Sequence, residues 1–289
     1  MPRKVIVPVV IVILGIGAFV LFNFYGKSRE APSIVDLEPK WPQFEVIGQS
    51  VEGRKIESYT YGDGDKYVLF VGGIHGGYEW NSVLLAYQFI DYLAANPTTV
   101  PPNLTIAVIP SANPDGVYRV VSKEGRFTST DVSTDKETLA SGRFNAHKVD
   151  LNRNFDCNWK PTSLWREKTV SAGSEPFSEP EAMALRTFVL ENKPDAVIFW
   201  HSQSNAVYAS ECQSGILPET LDIMNAYSRA SGYQAVKSFD SYDVTGDSEG
   251  WLASIGIPSI TVELKDHENI EWEKNLAGIK AILGYYLTK

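Results

Sequence analysis

The sequence predicts an α/β fold, a mixed, mostly parallel twisted sheet with helices on both faces, preceded by one N-terminal transmembrane helix. Three observations carry that reading. Short apolar runs end abruptly at polar residues: Tyr67 to Ile74 at His75-Gly76-Gly77-Tyr78-Glu79, Ala196 to Trp200 at His201-Ser202, and Ile257 to Val262 at Glu263. Near-continuous apolar strands of this kind are covered on both faces. Segments of helical period alternate with them, as in sheets whose strands are joined by crossover helices. Finally, Val5 to Phe22 is apolar and interrupted only by Pro8, Gly15 and Gly17, close to the roughly 20 residues a membrane span needs.

That apolar run follows Arg3-Lys4 and is long for a signal-peptide core, which is usually about 7–15 residues. Its flank, Asn23 to Glu30, offers no small-x-small cleavage site and no cysteine for a lipid. Residues 1-26 are therefore expected to form an uncleaved signal anchor, with a cleaved signal as the alternative and the body exported. Positive charge on both sides specifies the orientation only weakly. Residues 27-41 read as a polar linker, too short for an inhibitory pro-domain, and residues 42-289 as one large domain. Within it, Gln43 to Gln49, Arg54 to Tyr61, Tyr67 to Ile74 and Leu104 to Pro110 read as strands. Trp80 to Ala95 carries a helical period, with Val83, Leu84, Tyr87, Ile90, Leu93 and Ala94 on one face. Ser122 to Ala140 is polar and aperiodic, a surface excursion near the functional end. Ser178-Glu179-Pro180-Glu181 matches a capping box opening a helix through about Glu191. Thr220 to Ser231 and Glu271 to Leu287 complete the helices.

The formal charge of −9 and the absence of a basic stripe exclude nucleic acid as a partner. Cys157 and Cys212 permit one disulfide or two separate buried thiols, and neither has metal-type spacing. In open α/β sheets ligands bind at the carboxyl ends of strands. Two imidazoles and two carboxylates delivered there supply three metal ligands and a spare base, which suits a hydrolytic zinc site with an open fourth position.

These residues also resemble, in order, the motifs of the M14 metallocarboxypeptidases. His75 and Glu79 resemble the first zinc motif, and Ser111-Ala112-Asn113-Pro114-Asp115-Gly116 an Asn-Pro-Asp-Gly turn. Val149-Asp150-Leu151-Asn152-Arg153-Asn154-Phe155 resembles the substrate-carboxylate motif, His201-Ser202 the third ligand, and Thr261-Val262-Glu263-Leu264 the strand of the catalytic base. The likeness spans about Phe44 to Leu287. One departure stands out: three residues separate His75 from Glu79 where the family usually has two. Gly76-Gly77 can loop out the extra residue, whereas Tyr78 is a chemically poor zinc ligand.

The resemblance implies a zinc carboxypeptidase-like fold and one Zn2+ per chain, held by His75, Glu79 and His201. A water in the open position has its pKa lowered toward about 7, and Glu263 takes its proton as general base. Arg143 is implied as the cation facing the oxyanion, with Arg126 the fallback. Asn152 and Arg153 are implied to grip the free carboxylate of a peptide's last residue, while Asp150 and Asn154 brace the loop or an imidazole. Tyr242 is implied to close over that residue. Glu249, aligned through Trp251, is implied to select its side chain, favouring Lys, Arg or the amine of diaminopimelate, with Asp243 and Asp247 competing. His147 and His267 read as surface or supporting residues. The implied activity is zinc-dependent removal of a C-terminal residue from a peptide, by an enzyme anchored in the membrane and facing out of the cytoplasm. A close variant is a murein-peptide amidase cutting before diaminopimelate. An N-acyl-amino-acid deacylase of related fold lacks reason for the Asn-Pro-Asp-Gly turn and the Tyr242-to-Trp251 loop. A non-catalytic peptide binder would be expected to lack a ligand or the base.

Overall fold

The computed structural model describes residues 41–289. The expected helix over Val5 to Phe22 lies outside them, and no helix among the described residues is long and apolar enough to cross a membrane. Eight strands form one sheet in the order β1-β2-β4-β3-β7-β10-β8-β9. They are β1 (Gln43–Gln49), β2 (Lys55–Tyr61), β3 (Lys66–Val71), β4 (Leu104–Ile109), β7 (Ala196–Ser202), β8 (Ala206–Ala209), β9 (Gln234–Val236) and β10 (Ser259–Leu264). A separate hairpin pairs β5 (Thr162–Trp165) with β6 (Lys168–Ser171). The central pairs β4–β3, β3–β7 and β7–β10 are parallel, as is β8–β9; β1–β2, β2–β4 and β10–β8 are antiparallel.

Seven α-helices accompany them among the described residues: α1 (Trp80–Ala95), α2 (Pro114–Val121), α3 (Lys136–Ser141), α4 (Pro180–Asn192), α5 (Pro218–Ser231), α6 (Ser248–Ser254) and α7 (Trp272–Leu287). Successive side chains of a strand point to opposite faces, so Phe70 and Trp200 join one core and their neighbours Leu69 and Phe199 the other. The first core packs beneath α1, α5 and α7, the second beneath α4 and α6. Phe70 lies between Trp200, stacked at 5.2 Å, and Phe89 of α1, edge-on at 5.0 Å. Each such buried side chain contributes roughly 1.5–3 kcal/mol.

Three sequence readings are corrected. Two of the strands continue past the residues where the apolar runs end, β7 through His201 and Ser202 and β10 through Glu263, whereas β3 stops at Val71, short of Ile74. Ladder bonding to neighbours, not apolarity, sets the strand end, and it makes Glu263 the direct register partner of His201. The expected capping box does not form. Pro180 opens α4, so the N-cap is Glu179, which makes no side-chain cap bond. Glu181 instead turns inward to the Val51 amide and the Asn145 side chain. The Ser122–Ala140 excursion contains a 3-10 turn at Ser129–Asp131 and most of α3. Cys157 and Cys212 are joined in a disulfide.

Candidate metal centre and active site

The carboxyl ends of β3, β7 and β10 open into a cavity of about 920 Å³. Just beyond β3, Gly76–Glu79 forms a 3-10 turn that brings Glu79 back toward His75. Gly76 has φ +48°, and a Cβ there would lie 2.5 Å from the Gly142 carbonyl oxygen. A Cβ on Gly77 would meet Val120 of α2 at 2.5 Å. The glycine pair thus lets the backbone lie against α2 and Gly142, which accommodates the extra residue before Glu79.

His75, Glu79 and His201 are all buried, and one ligand atom from each lies within 4.8 Å of the others. The two imidazoles face each other at 4.9 Å, tilted by 66°. His201 Nδ1 lies 3.1 Å from Glu79 Oε2, and that oxygen also accepts from the Ser202 amide at 3.1 Å. Burial favours the neutral form of Glu79, but His75, His201 and Arg143 outweigh it and hold the carboxyl down at about 2. Burial, followed by the Arg143 charge, holds His75 down at about 4. His201 is also penalised by burial, yet the Glu79 and Glu249 carboxylates raise it well above the usual imidazole range. Two imidazoles and a carboxylate are the donor set zinc prefers. Glu263 Oε2 is buried with no hydrogen-bond partner, as are His75 Nδ1 and Asp150 Oδ1, which stand 3.4 Å apart. The residues fit a metal ion.

Glu263 is half-buried on the cavity wall. Burial and then the Glu79 charge push its carboxyl up to about 8. Arg143 lies on the opposite flank, its Nε donating to Asp150 at 2.8 Å and its Nη1 3.7 Å from Glu79. The Trp165 ring lies 4.8 Å from its guanidinium carbon. Arg126 is elsewhere: it makes a two-pronged surface pair with Asp91, which removes it as an oxyanion candidate. Asp150 Oδ1 stands 3.4 Å from His75 Nδ1, the bracing place expected of it.

The substrate-carboxylate residues line the cavity in a partly committed state. Arg153 donates from Nε and Nη2 to the Leu164 carbonyl at 3.2 and 3.0 Å, and from Nη1 to the Asn152 carbonyl at 2.5 Å. Asn152 Oδ1 accepts from the Ser248 amide at 2.8 Å, and its Nδ2 donates to Glu249 at 3.2 Å. Tyr242 is half-buried at the rim, its ring 4.9 Å from Phe239. Asp243 is exposed on the same loop. Asp247 caps α6 by accepting from the Gly250 amide at 2.7 Å; burial and then the Glu249 charge push it up to about 6.

Glu249 differs most from its expected role. It lines the cavity but is only 3% exposed. Both of its oxygens are engaged, by His201 and Thr261 on one side and by Asn152 and Ser248 on the other. Alignment gives its position along α6, not which neighbours take the carboxylate. Asn154 is structural, donating to the Ala172 and Glu175 carbonyls. His147 sits out on Glu179, while His267 backs Ser202 at 2.6 Å with its ring against Tyr78. Neither joins the ligand cluster. Sequence reasoning missed the hairpin whose end residues, Trp165 to Glu167, line the cavity. Its signal is the Trp165-Arg166-Glu167-Lys168 turn between two short β-prone runs.

The chain is similar to several known proteins. Gamma-D-glutamyl-L-diamino acid endopeptidase 1 of Lysinibacillus sphaericus is 26% identical over 267 residues, covering 85% of this chain and 66% of that protein. Carboxypeptidase B of Astacus astacus is 26% identical over 254 residues, 80% of this chain and 82% of its own. Among solved structures, murein-tripeptide amidase MpaA from Escherichia coli O157 shares the fold, with a TM-score of 0.60 and 21% identity over 86% of this chain and 92% of that one. The family model of the M14 peptidases, described as zinc carboxypeptidase, matches residues 33–287. With nearly the whole described chain inside that match, this protein belongs to the M14 zinc carboxypeptidase family.

Proposed function

We propose that the protein is a zinc-dependent carboxypeptidase that hydrolyses the last peptide bond of a peptide with a free C-terminus. The observation that carries the reading is the convergence of His75, Glu79 and His201 in one cavity with Glu263, whose Oε2 has no partner. Bound by those three side chains, zinc supplies a Lewis acid that makes water nucleophilic near neutral pH. The remaining steps belong to the chain. Glu263 accepts the proton of the attacking water and returns it to the leaving amine. Arg143, fixed by Asp150 and stacked on Trp165, offers its remaining N–H groups to the developing oxyanion. Arg153 has N–H groups left over from its backbone bonds and takes the terminal carboxylate, with Asn152 beside it. Tyr242, on the rim with Phe239, closes over the bound residue and excludes water.

The experiment is release of free amino acids from peptides ending in Lys, Arg and Phe by the wild type and by Glu263→Gln. Loss of a general base lowers kcat by about 10²–10⁴-fold. A variant as fast as its parent removes Glu263 from this role.

A second reading, cleavage before a diamino acid in a wall peptide, is favoured by the acids Asp247, Asp243 and Glu211 on the cavity wall and by the relative that acts on gamma-D-glutamyl-L-diamino acid bonds. Including a wall tripeptide in the same assay separates the two. For location, the Val5 to Phe22 run supports a membrane anchor, and the Cys157–Cys212 disulfide supports an oxidising compartment. Retention of activity in the membrane fraction, lost when residues 1-26 are deleted, tests it.

A further inference from the structure

Each imidazole of the candidate metal centre has a carboxylate behind it. For His75 that group is Asp150, at 3.4 Å from Nδ1. For His201 it is Glu249: Nδ1 faces Glu79, and Nε2 lies 3.1 Å from Glu249 Oε1. The same Oε1 accepts from the Thr261 hydroxyl at 3.0 Å. Oε2 accepts from Asn152 Nδ2 at 3.2 Å and lies 2.9 Å from the Ser248 hydroxyl. A carboxylate held by four side chains from α6, β7, β10 and the Asn152-Arg153 loop cannot swing toward a substrate without breaking several hydrogen bonds.

We propose that Glu249 is a positioning residue for the metal: it anchors His201 Nε2 and so fixes Nδ1 toward the ion, rather than selecting the substrate's terminal side chain. The physical reason is donor bookkeeping. A carboxylate is acceptor-only, so when a metal takes the Nδ1 side of the ring, the remaining imidazole proton stays on Nε2, facing Glu249. Partners of this kind orient a ligating histidine and make it more basic. Thr261 contributes from the strand that carries Glu263, and Asn152 contributes from the loop that carries Arg153. Glu249 therefore links the base, the substrate loop and a metal ligand through one side chain. The inference rests on His201 being a zinc ligand.

The test is zinc affinity, measured on stripped protein by competition with a chromophoric chelator, with circular dichroism checking the fold. Glu249→Ala is expected to raise the zinc Kd about 10–100-fold. Glu249→Gln, whose amide oxygen can still accept from Nε2, is expected to fall between Glu249→Ala and the wild type. Asp243→Asn, which removes a nearby negative charge without touching His201, is expected to shift the Kd by less than about threefold, as a surface charge should. Should Glu249→Ala fail to fold, Thr261→Val removes one clamp on Oε1, and a measurable rise in Kd supports the proposal. An unchanged Kd in folded Glu249→Ala or Thr261→Val, with zinc still bound by the wild type, overturns it and leaves the carboxypeptidase reading standing. A wild type that binds no zinc overturns both.

Discussion

Among single residues, Arg143 and His201 carry the clearest expectations. Arg143 is buried, paired with Asp150 and stacked on Trp165, so its guanidinium is held in one orientation. Its replacement by alanine removes a donor aimed where charge develops and leaves Asp150 unpaired. Arg143→Ala is expected to lower kcat by roughly 10²–10³-fold, measured on a peptide the wild type cleaves. His201 gives a pH expectation. Its pKa is raised, so in the metal-free protein it carries a proton at pH 7, and Glu263, pushed up to about 8, does too. A metal needs the lone pair of His201 and lowers the pKa of any carboxyl nearby. Zinc binding must then release protons, and affinity must rise with pH until His201 is neutral in the free protein. Calorimetry of zinc binding at pH 7 in two buffers of different ionisation enthalpy measures the release. Heats that do not depend on the buffer would contradict the raised pKa values.

The turn after β3 bears the next expectation. Gly76 combines a left-handed φ with a close approach to Gly142 and Gly116. Gly76→Ala adds a φ > 0 cost of about 1–2 kcal/mol and a steric clash on top. It is expected to lower the melting temperature and to weaken zinc binding, because the turn sets the position of Glu79. Gly125→Ala, at a glycine of φ +68° with open space around it, pays the backbone cost alone and should leave zinc affinity unchanged. This turn marks the limit of what the sequence conveys about the site. The positions of His75, His201 and Glu263 at the functional end were legible because apolar runs stop there. The bounds of α1 were read as observed, although its period put exposed Ala94 on the apolar face and left out buried Leu85, Ala86 and Phe89. The extra residue before Glu79 could be reconciled only by seeing the backbone fold against α2. The β5–β6 hairpin escaped notice because its strands are four residues long and mostly polar. Glu249 was read onto the cavity wall, where it lies, but its burial and hydrogen-bond partners were not legible, since they arise from packing between α6, β7, β10 and the Asn152 loop.

Across the molecule, the Cys157–Cys212 bond spans a sequence separation of 55 and ties the segment after Arg153 to the segment after β8, both of which supply residues to the cavity wall, Asn158 and Glu211 among them. A Cys157→Ser, Cys212→Ser double variant is expected to lose about 2–4 kcal/mol of stability, a fall in Tm of roughly 5–15 °C for a domain of this size. It is also expected to raise KM more than it lowers kcat, because the walls loosen while His75, Glu79 and His201, outside the bridged segments, keep their places. Differential scanning calorimetry and steady-state kinetics read the two effects. The contact between Glu79 and the Ser202 amide reaches further still. With the Glu79 carboxylate bonded to the end of β7, an ion held by His75, Glu79 and His201 would add a clasp just beyond the last β3–β7 ladder pair, Val71 and Phe199. Amide hydrogen exchange should then slow on zinc addition at residues 76–80 and 200–204 and barely change at Lys66 or Ala196, where the same strands begin. The ion's influence on breathing would map as a gradient down the sheet, steepest where substrate enters.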